Sequence, residues 1–419
     1  NSDYNTGWML GDITLATLSD TDTTNVTGTE LIANNLTANV TGWASPGGTI
    51  VWNASGYADV TRGASDGPYV ASYPLGTTLT IGEVYTVTAN IVTNNGGGNS
   101  LVRFGSSTAY SQDTDIKTGT GILSATFTAT AAHTHVWLYS LPSNTTSFKE
   151  VYVRKAEQDR SVNAKGLQVF GTVTKTAVAT GAELVAYSGW STSNYLEQPY
   201  NSDLDFGTGD FSFTGWIYPA SGSTNYKPII TKCATNQNET TAINIKIDPS
   251  FNLYVYTTGV TAPTVALTQN AWSCFTVTRI SGTLKVYVNG VLGDSENWTS
   301  VNITNTSSKL RVGVGGNSLN ESATGVKVAL VRVSATTPTP EQITKMYNDE
   351  KHLFQTNAKA TLYGSSDAVT ALAYDDSTEL LHVGTSAGRS EFQGLRRVNN
   401  TTDAVSAAIS ASNGFIVEE

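Results

Sequence analysis

Apolar and polar residues alternate along most of this chain with the period of two that a half-buried strand requires. The clearest case is TLKVYVNGVLGDS (283–295), where Leu284, Val286 and Val288 point one way and Lys285, Tyr287 and Asn289 the other. Asn289-Gly290 then supplies two residues that tolerate positive φ, as a type I′ hairpin demands. Val291 and Leu292 begin the return strand. CFTVTRI (274–280) alternates just upstream and turns at SGT, so the region reads as a three-stranded antiparallel meander. TIVWNASGYADVTR alternates around Val51 and Tyr57, YTVTANIVTN (85–94) runs into the loop NGGGNS, and 121–155 carries three more strands. Strands about eight to twelve residues apart with turn signals between them indicate sandwiches.

This pattern predicts an all-β chain of two consecutive antiparallel sandwich domains with an N-terminal arm, one C-terminal helix and a short β tail. Residues 1–28 read as an extended arm with one strand near Ile13, and 29–155 as the first β domain. AEQDRSVNAKG (156–166) is charged and lacks β-branched runs, which marks a linker. The second domain covers 167–356 and closes on a helix at 340–352. There Thr339 can cap, Pro340 suits the first helical position, and Ile343, Met346 and Tyr347 form a stripe. The tail, 357–419, holds two or three short strands (ATLYG, AVTALAYDD, LLHVGTS) and an Ala/Ser-rich end. Arm and tail are apolar enough to pair but too short to hold a core, so they are candidate oligomerisation segments, with a homotrimer expected.

Composition narrows the function classes. The chain has 419 residues, which suits two or three domains. Only 14% of residues are charged, against about 25% in average proteins; Thr, Ser, Gly and Asn fill the gap. A formal net charge of -10 and no basic stripe argue against a nucleic-acid partner and an anionic membrane surface. No apolar run is long enough to span a bilayer. NSDYNTGWML has neither a basic start nor an apolar core, so a signal peptide is not expected there. The missing initial Met suggests processing or a longer parent. Cys233 and Cys274 allow one bridge or two free thiols, not a disulfide framework.

Several marks now stand together. LDFGTGDFSFTGWIYP carries a Gly-Asp-Phe turn and an alternating strand ending in Trp216, and AWSCFTVTRISGTLKVYVNGVL carries Trp, strand, Arg, tight turn and Tyr-Val-Asn-Gly. With a strand pair before a final helix, this resembles the laminin-G-like, concanavalin A-like jelly-roll sandwiches over about 170 residues. ELIANNLTANVTGWASPGGTIVWNASGYADVTR is similar to the openings of carbohydrate-binding-module jelly rolls, with Trp43, turn and strand in order. The whole arrangement is similar to structural proteins of marine and cyanobacterial tailed bacteriophages, on segments such as SVNAKGLQVFGTVTKTAVATGAELVAYSG and KATLYGSSDAVTALAYDDSTELLHVGTSAGRSEFQGL. That resemblance implies a virion-borne tail-fibre or appendage protein at the particle surface, with other virion proteins and host-surface polysaccharide as partners. It also implies folding in a reducing cytoplasm, hence free thiols. The alternatives are a secreted or surface-displayed fibre-forming adhesin and, third, a polysaccharide depolymerase.

Candidate sites follow. Glycoside hydrolysis needs two carboxylates flanking the sugar. The Glu-x-Asp-x-x-Glu strand motif of concanavalin A-like glycosidases is absent, and the acids of the second domain lie mostly in turns, so no catalytic residue is assigned and no enzyme is expected. In AAHTHVWLY, alternation puts His133, His135, Trp137 and Tyr139 on one face and Val136 and Leu138 on the other. Aromatic rings on a sheet grip sugars because sugar C–H faces pack on them, so this row is the first carbohydrate-binding candidate. Its alternative is cover for the core or a subunit contact. Trp298, in the polar run SENWTSVNITNTSS, is expected to be exposed and is the second candidate. Tyr254 and Tyr256 share a face in NLYVYTT, with local packing the stronger reading. Sandwich lectins often use Ca²⁺, a hard ion wanting oxygen ligands; Asp203, Asp205 and Asp210 are its candidate set, with solvated turns the alternative.

Overall fold

The computed structural model describes residues 13–64, 70–95, 99–220, 225–234, 237–359, 361–364, 368–394 and 396–419. Regular structure among the described residues is strand, apart from the α-helix Pro340–Glu350 and three 3-10 turns. The chain is all-β, as the alternation predicts.

The first sandwich stacks two antiparallel sheets. The larger runs in the order Thr49–Asn53, Tyr57–Arg62, Asn144–Glu157, Val84–Asn94 and Gly121–Thr128. The smaller runs in the order Ala71–Pro74, His135–Tyr139, Asn99–Gly105 and Tyr110–Thr118. Alternate residues of both fill the space between them: Val60, Val87, Phe148 and Val153 from one sheet, Val102, Phe104, Val136 and Leu138 from the other.

The second sandwich is larger. Its front sheet runs Val185–Ser188, Val326–Ser334, Phe211–Pro219, Ser273–Ile280, Thr283–Val288 and Val291–Asn297. Its back sheet runs Leu167–Ala177, Tyr195–Gln198, Lys309–Val312, Lys227–Cys233, Ile243–Ile247, Asn252–Tyr256 and Thr264–Ala266. Leu167–Ala177 belongs to both sheets, pairing with Tyr195–Gln198 through its first half and with Val185–Ser188 through its second. Gly171 makes the crossing feasible. Its φ is +62°, and a Cβ there would lie 2.1 Å from Asn194 Oδ1. At the predicted hairpin tip Asn289 and Gly290 both take positive φ, 52° and 81°.

Buried Arg279 holds the turn that opens the front sheet. Its guanidinium donates to the carbonyls of Gly209 (2.7 Å), Gly207 (2.7 Å) and Val301 (2.8 Å) and lies over the Phe211 ring. Burial lowers its pKa to about 10. The helix is capped reciprocally by Thr339 and Gln342 and packs Ile343 and Met346 on Tyr287, outside the front sheet.

Three expectations need correction. Residues 13–28 hold the expected strand near Ile13 but do not stand apart from the sandwiches as an arm. Ile13–Thr17 pairs with Val326–Ser334, and Val26–Gly28 pairs with the middle of Leu167–Ala177; residues 1–12 lie outside the described residues. The segment 156–166 is not a loose linker. Ala156 and Glu157 still belong to a strand and pair with Gln168 and Leu167. The tail is more regular than expected: a four-stranded meander over Val369–Asp375, Leu380–Thr385, Gly388–Gln393 and Arg396–Thr401, followed by the hairpin Ile409–Ser412/Phe415–Glu418. The partner of Ile13–Thr17 lies more than three hundred residues away in the chain, so no local pattern announces that pairing.

Cys233 and Cys274 are both buried and unbridged. Burial pushes both thiols up, Cys274 furthest. We expect the folded protein to react with a thiol reagent at neither position and the denatured protein to titrate both without reductant; a denatured count of zero would show a bridge instead.

Candidate functional site

The predicted sugar row is a packed layer. Val136 and Leu138 face the core, and Trp137 faces away from it, yet Trp137 is only 1% exposed. Its indole N–H donates to the Ser106 carbonyl at 3.0 Å, so the chain beyond Asn99–Gly105 closes over it. Tyr139 lies beneath the guanidinium groups of Arg103 (4.3 Å to the ring centroid) and Arg62 (5.5 Å). His133 precedes the strand and is buried, with Nε2 2.8 Å from Gln112 Oε1. His135 is half-buried beside the Thr134 hydroxyl. Burial lowers the pKa of both histidines. Trp298 is fully buried in the second core, its N–H on the Thr261 carbonyl. The polar residues around it form a turn that folds inward over the core.

The predicted Ca²⁺ set is likewise not a site. Asp203 pairs with Lys165 at 2.8 Å, Asp205 with buried Lys232 at 2.7 Å, and Asp210 accepts the Ser281 N–H. Each carboxylate thus has its own cation or N–H. Among the described residues no three His, Cys, Asp or Glu side chains converge on a metal position.

The structure assembles a different place. A groove of about 570 Å³ lies between the outer face of the first sandwich's larger sheet and the outer face of the second sandwich's back sheet. Alternation explains its lining. In Asn144–Glu157, Val151 and Val153 enter the core, which turns Tyr152 and Arg154 outward. A register shift between Lys149 and Tyr152, with Glu150 at φ 55°, re-aims Glu150 at the same space. From the other side, Phe170 and Tyr195 are cross-strand partners. Their rings stack with centroids 4.5 Å apart and planes 6° apart. The Arg154 guanidinium sits 4.3 Å above Phe170. Below them Glu197 accepts from Lys309 and Arg311, one per oxygen, both at 2.8 Å. Asn90 reaches Glu150 at 3.4 Å, and the Tyr200 hydroxyl donates to Asp205 at 2.9 Å.

Burial, then the Glu197 charge, raises the Tyr195 pKa to about 12. Burial and the hydrogen bond to Asp205 do the same for Tyr200. These phenols therefore stay neutral. The groove offers aromatic rings, phenol hydroxyls, amides, two carboxylates (Glu150 and Glu197) and three cations (Arg154, Lys309 and Arg311). Glu150 and Glu197 both line it, but both Glu197 oxygens are held by cations, so it is not placed to act as a general acid. None of these residues stood out in the sequence. The usable signal was an outward aromatic within a regular strand: Tyr152 in EVYVRK and Phe170 in LQVFG.

Residues 191–344 match the family model of the concanavalin A-like lectin/glucanases superfamily, Laminin_G_3. The second sandwich holds a concanavalin A-like domain. No curated protein matches the chain. Among solved structures it is similar to the receptor binding domain of botulinum neurotoxin C/D mosaic serotype (14% identity, TM-score 0.38, 58% of this chain and 62% of that one). It is also similar to the binding domain of Paraclostridial Mosquitocidal Protein 1 (14%, 0.39, 59% and 65%). A third is domain 4 of AbnA, a GH43 extracellular arabinanase from Geobacillus stearothermophilus, in complex with arabinotriose (16%, 0.35, 45% and 92%). The chain spans less than two thirds of the first two. At such identities and scores, function has to be argued from this chain's own residues.

Burial decides what Trp137→Ala will do. Removing so enclosed a ring should cost about 3–5 kcal/mol. A thermal melt should fall accordingly; an unchanged melt would mean that the ring is not enclosed.

Proposed function

We propose that this chain is a non-enzymatic glycan-binding protein of a tailed-phage virion, carried at the particle surface on a fibre or appendage, and that its interdomain groove holds a neutral sugar of the host surface. The observation that carries the binding reading is the Phe170–Tyr195 stack beside Tyr152, with phenol and amide groups around it and the Glu197 carboxylate held by Lys309 and Arg311. A pyranose presents C–H groups to aromatic rings and hydroxyls to polar groups; with Arg154 over Phe170, the Tyr152 and Tyr195 rings meet the first and the phenol and amide groups the second. The cation-locked Glu197 argues against a depolymerase. The virion setting is supported by the segment resemblances described above.

Self-association through the tail belongs to the same reading. Tyr374 and Leu381 are cross-strand partners, and Leu372 lies two residues before Tyr374 on the same face. They are 55%, 36% and 60% exposed, and Phe415 and Val417 of the last hairpin are 79% and 70% exposed. So much apolar surface on a small module calls for cover, and copies of this chain on a fibre would supply it.

Two measurements test these points. On an array of neutral and acidic glycans, the protein should select neutral ones, and Phe170→Ala should bind the selected glycan about tenfold more weakly with the fold retained. Equal binding by a folded variant would place the sugar elsewhere. Light scattering should give the mass of a trimer, and Leu372→Asp with Phe415→Asp should lower it; a stable monomer at micromolar concentration would remove the self-association.

A further inference from the structure

A second aromatic surface lies on the same outer face of the back sheet. In Asn252–Tyr256, Leu253 and Val255 enter the core, so Tyr254 and Tyr256 face outward. Their rings are 5.9 Å apart at 13°. Tyr226, 39% exposed, lies 5.5 Å from Tyr254 and extends the row. Beside it lie hydroxyls, Lys246 over the Tyr226 ring, and Asp248, whose carboxylate accepts the N–H groups of Ser250 and Asn252. The Tyr256 hydroxyl lies 3.2 Å from that of Thr258, and Lys246, opposite Tyr254, is paired with Glu321 at 3.1 Å.

This row is linked to the groove. Between them lies a flap, Val314–Gly315 paired with Glu321–Ser322. It is seated on Lys227–Cys233 by the Thr231 hydroxyl, which donates to the Val314 carbonyl. Leu319 of the flap lines the groove, while Glu321 reaches Lys246 beside the tyrosines. Counting strands from Tyr195–Gln198 to Asn252–Tyr256 gives four ladder steps, which is about 19 Å at the usual strand spacing.

Resting on the groove reading above, we propose that Tyr226, Tyr254 and Tyr256 form a second subsite for the same neutral polysaccharide, so that the protein binds along an extended chain rather than at a single terminal sugar. Flat, uncharged rings suit the C–H faces of successive sugars, and two subsites on one rigid sheet raise affinity for any ligand long enough to reach both. A disaccharide occupies the groove alone.

The test uses the full chain, a disaccharide and the parent polysaccharide of the glycan selected on the array. The unmodified protein should bind the polysaccharide more tightly than the disaccharide. Tyr254→Ala with Tyr256→Ala should leave disaccharide affinity unchanged and weaken polysaccharide binding about tenfold. Tyr254→Phe with Tyr256→Phe should restore it, because the rings remain. If the double alanine variant melts early, Tyr226→Ala, at the surface, should show the same selective loss. Equal polysaccharide affinity in a folded variant overturns the second subsite and leaves the groove standing. Binding of no neutral glycan by the unmodified protein overturns the groove reading, and the second subsite with it.

Discussion

The buried carboxylate of Asp159 fixes the junction on which the groove depends. It accepts the N–H groups of Ala16 (2.9 Å), Ser161 (2.9 Å) and Lys165 (3.0 Å), together with the Ser161 hydroxyl. Ala16 lies in the strand beside Val326–Ser334, so one side chain joins the exit from the first sandwich to the front sheet of the second. Asp159 is 2% exposed, and burial raises its pKa in spite of these bonds. Next to it, Ala156 and Glu157 continue directly into pairing with Leu167 and Gln168. A flexible tether would let the two outer faces separate. This one sets the angle between them, and with it the width of the space that Phe170, Tyr195 and Arg154 share.

Each sandwich supplies half of the groove by the same rule. A strand that buries one face must present the other. On the first sandwich the presented face carries Tyr152 and Arg154; on the second it carries Phe170, Tyr195, Glu197 and Arg311. The buried ion pairs add little net stability, since desolvation offsets attraction, but they orient the floor. The fixed Glu197–Arg311 pair holds the base of the groove flat beneath the stacked rings.

The second sandwich also explains its own sequence signature. The Gly-Asp-Phe turn and the Arg near the end of the strand that follows Trp272 are one device. Arg279 donates to the carbonyls of Gly207 and Gly209 while stacking on Phe211. A lysine offers a single point of charge and could not serve these acceptors and the ring together.

Local information in the sequence determined the class and much of the detail. Alternation identified the strands, Asn289-Gly290 set a hairpin tip, Thr339 and Pro340 began the helix, and the turn-and-Arg marks identified the concanavalin A-like domain. All of these depend on residues near one another in the chain. Whether an outward aromatic is open or covered depends on what a distant segment does. Trp137 and Tyr152 each alternate with core residues in their strands, yet the chain at Ser106 closes over the first, and the second faces a groove walled by the other sandwich. The same holds for Asp203 and Asp205, whose lysine partners, Lys165 and Lys232, lie in other strands and turns. Period-two patterning reports which side of a sheet a residue occupies. Only the tertiary structure decided what covers that side, because the cover is made by contacts between residues far apart in the chain.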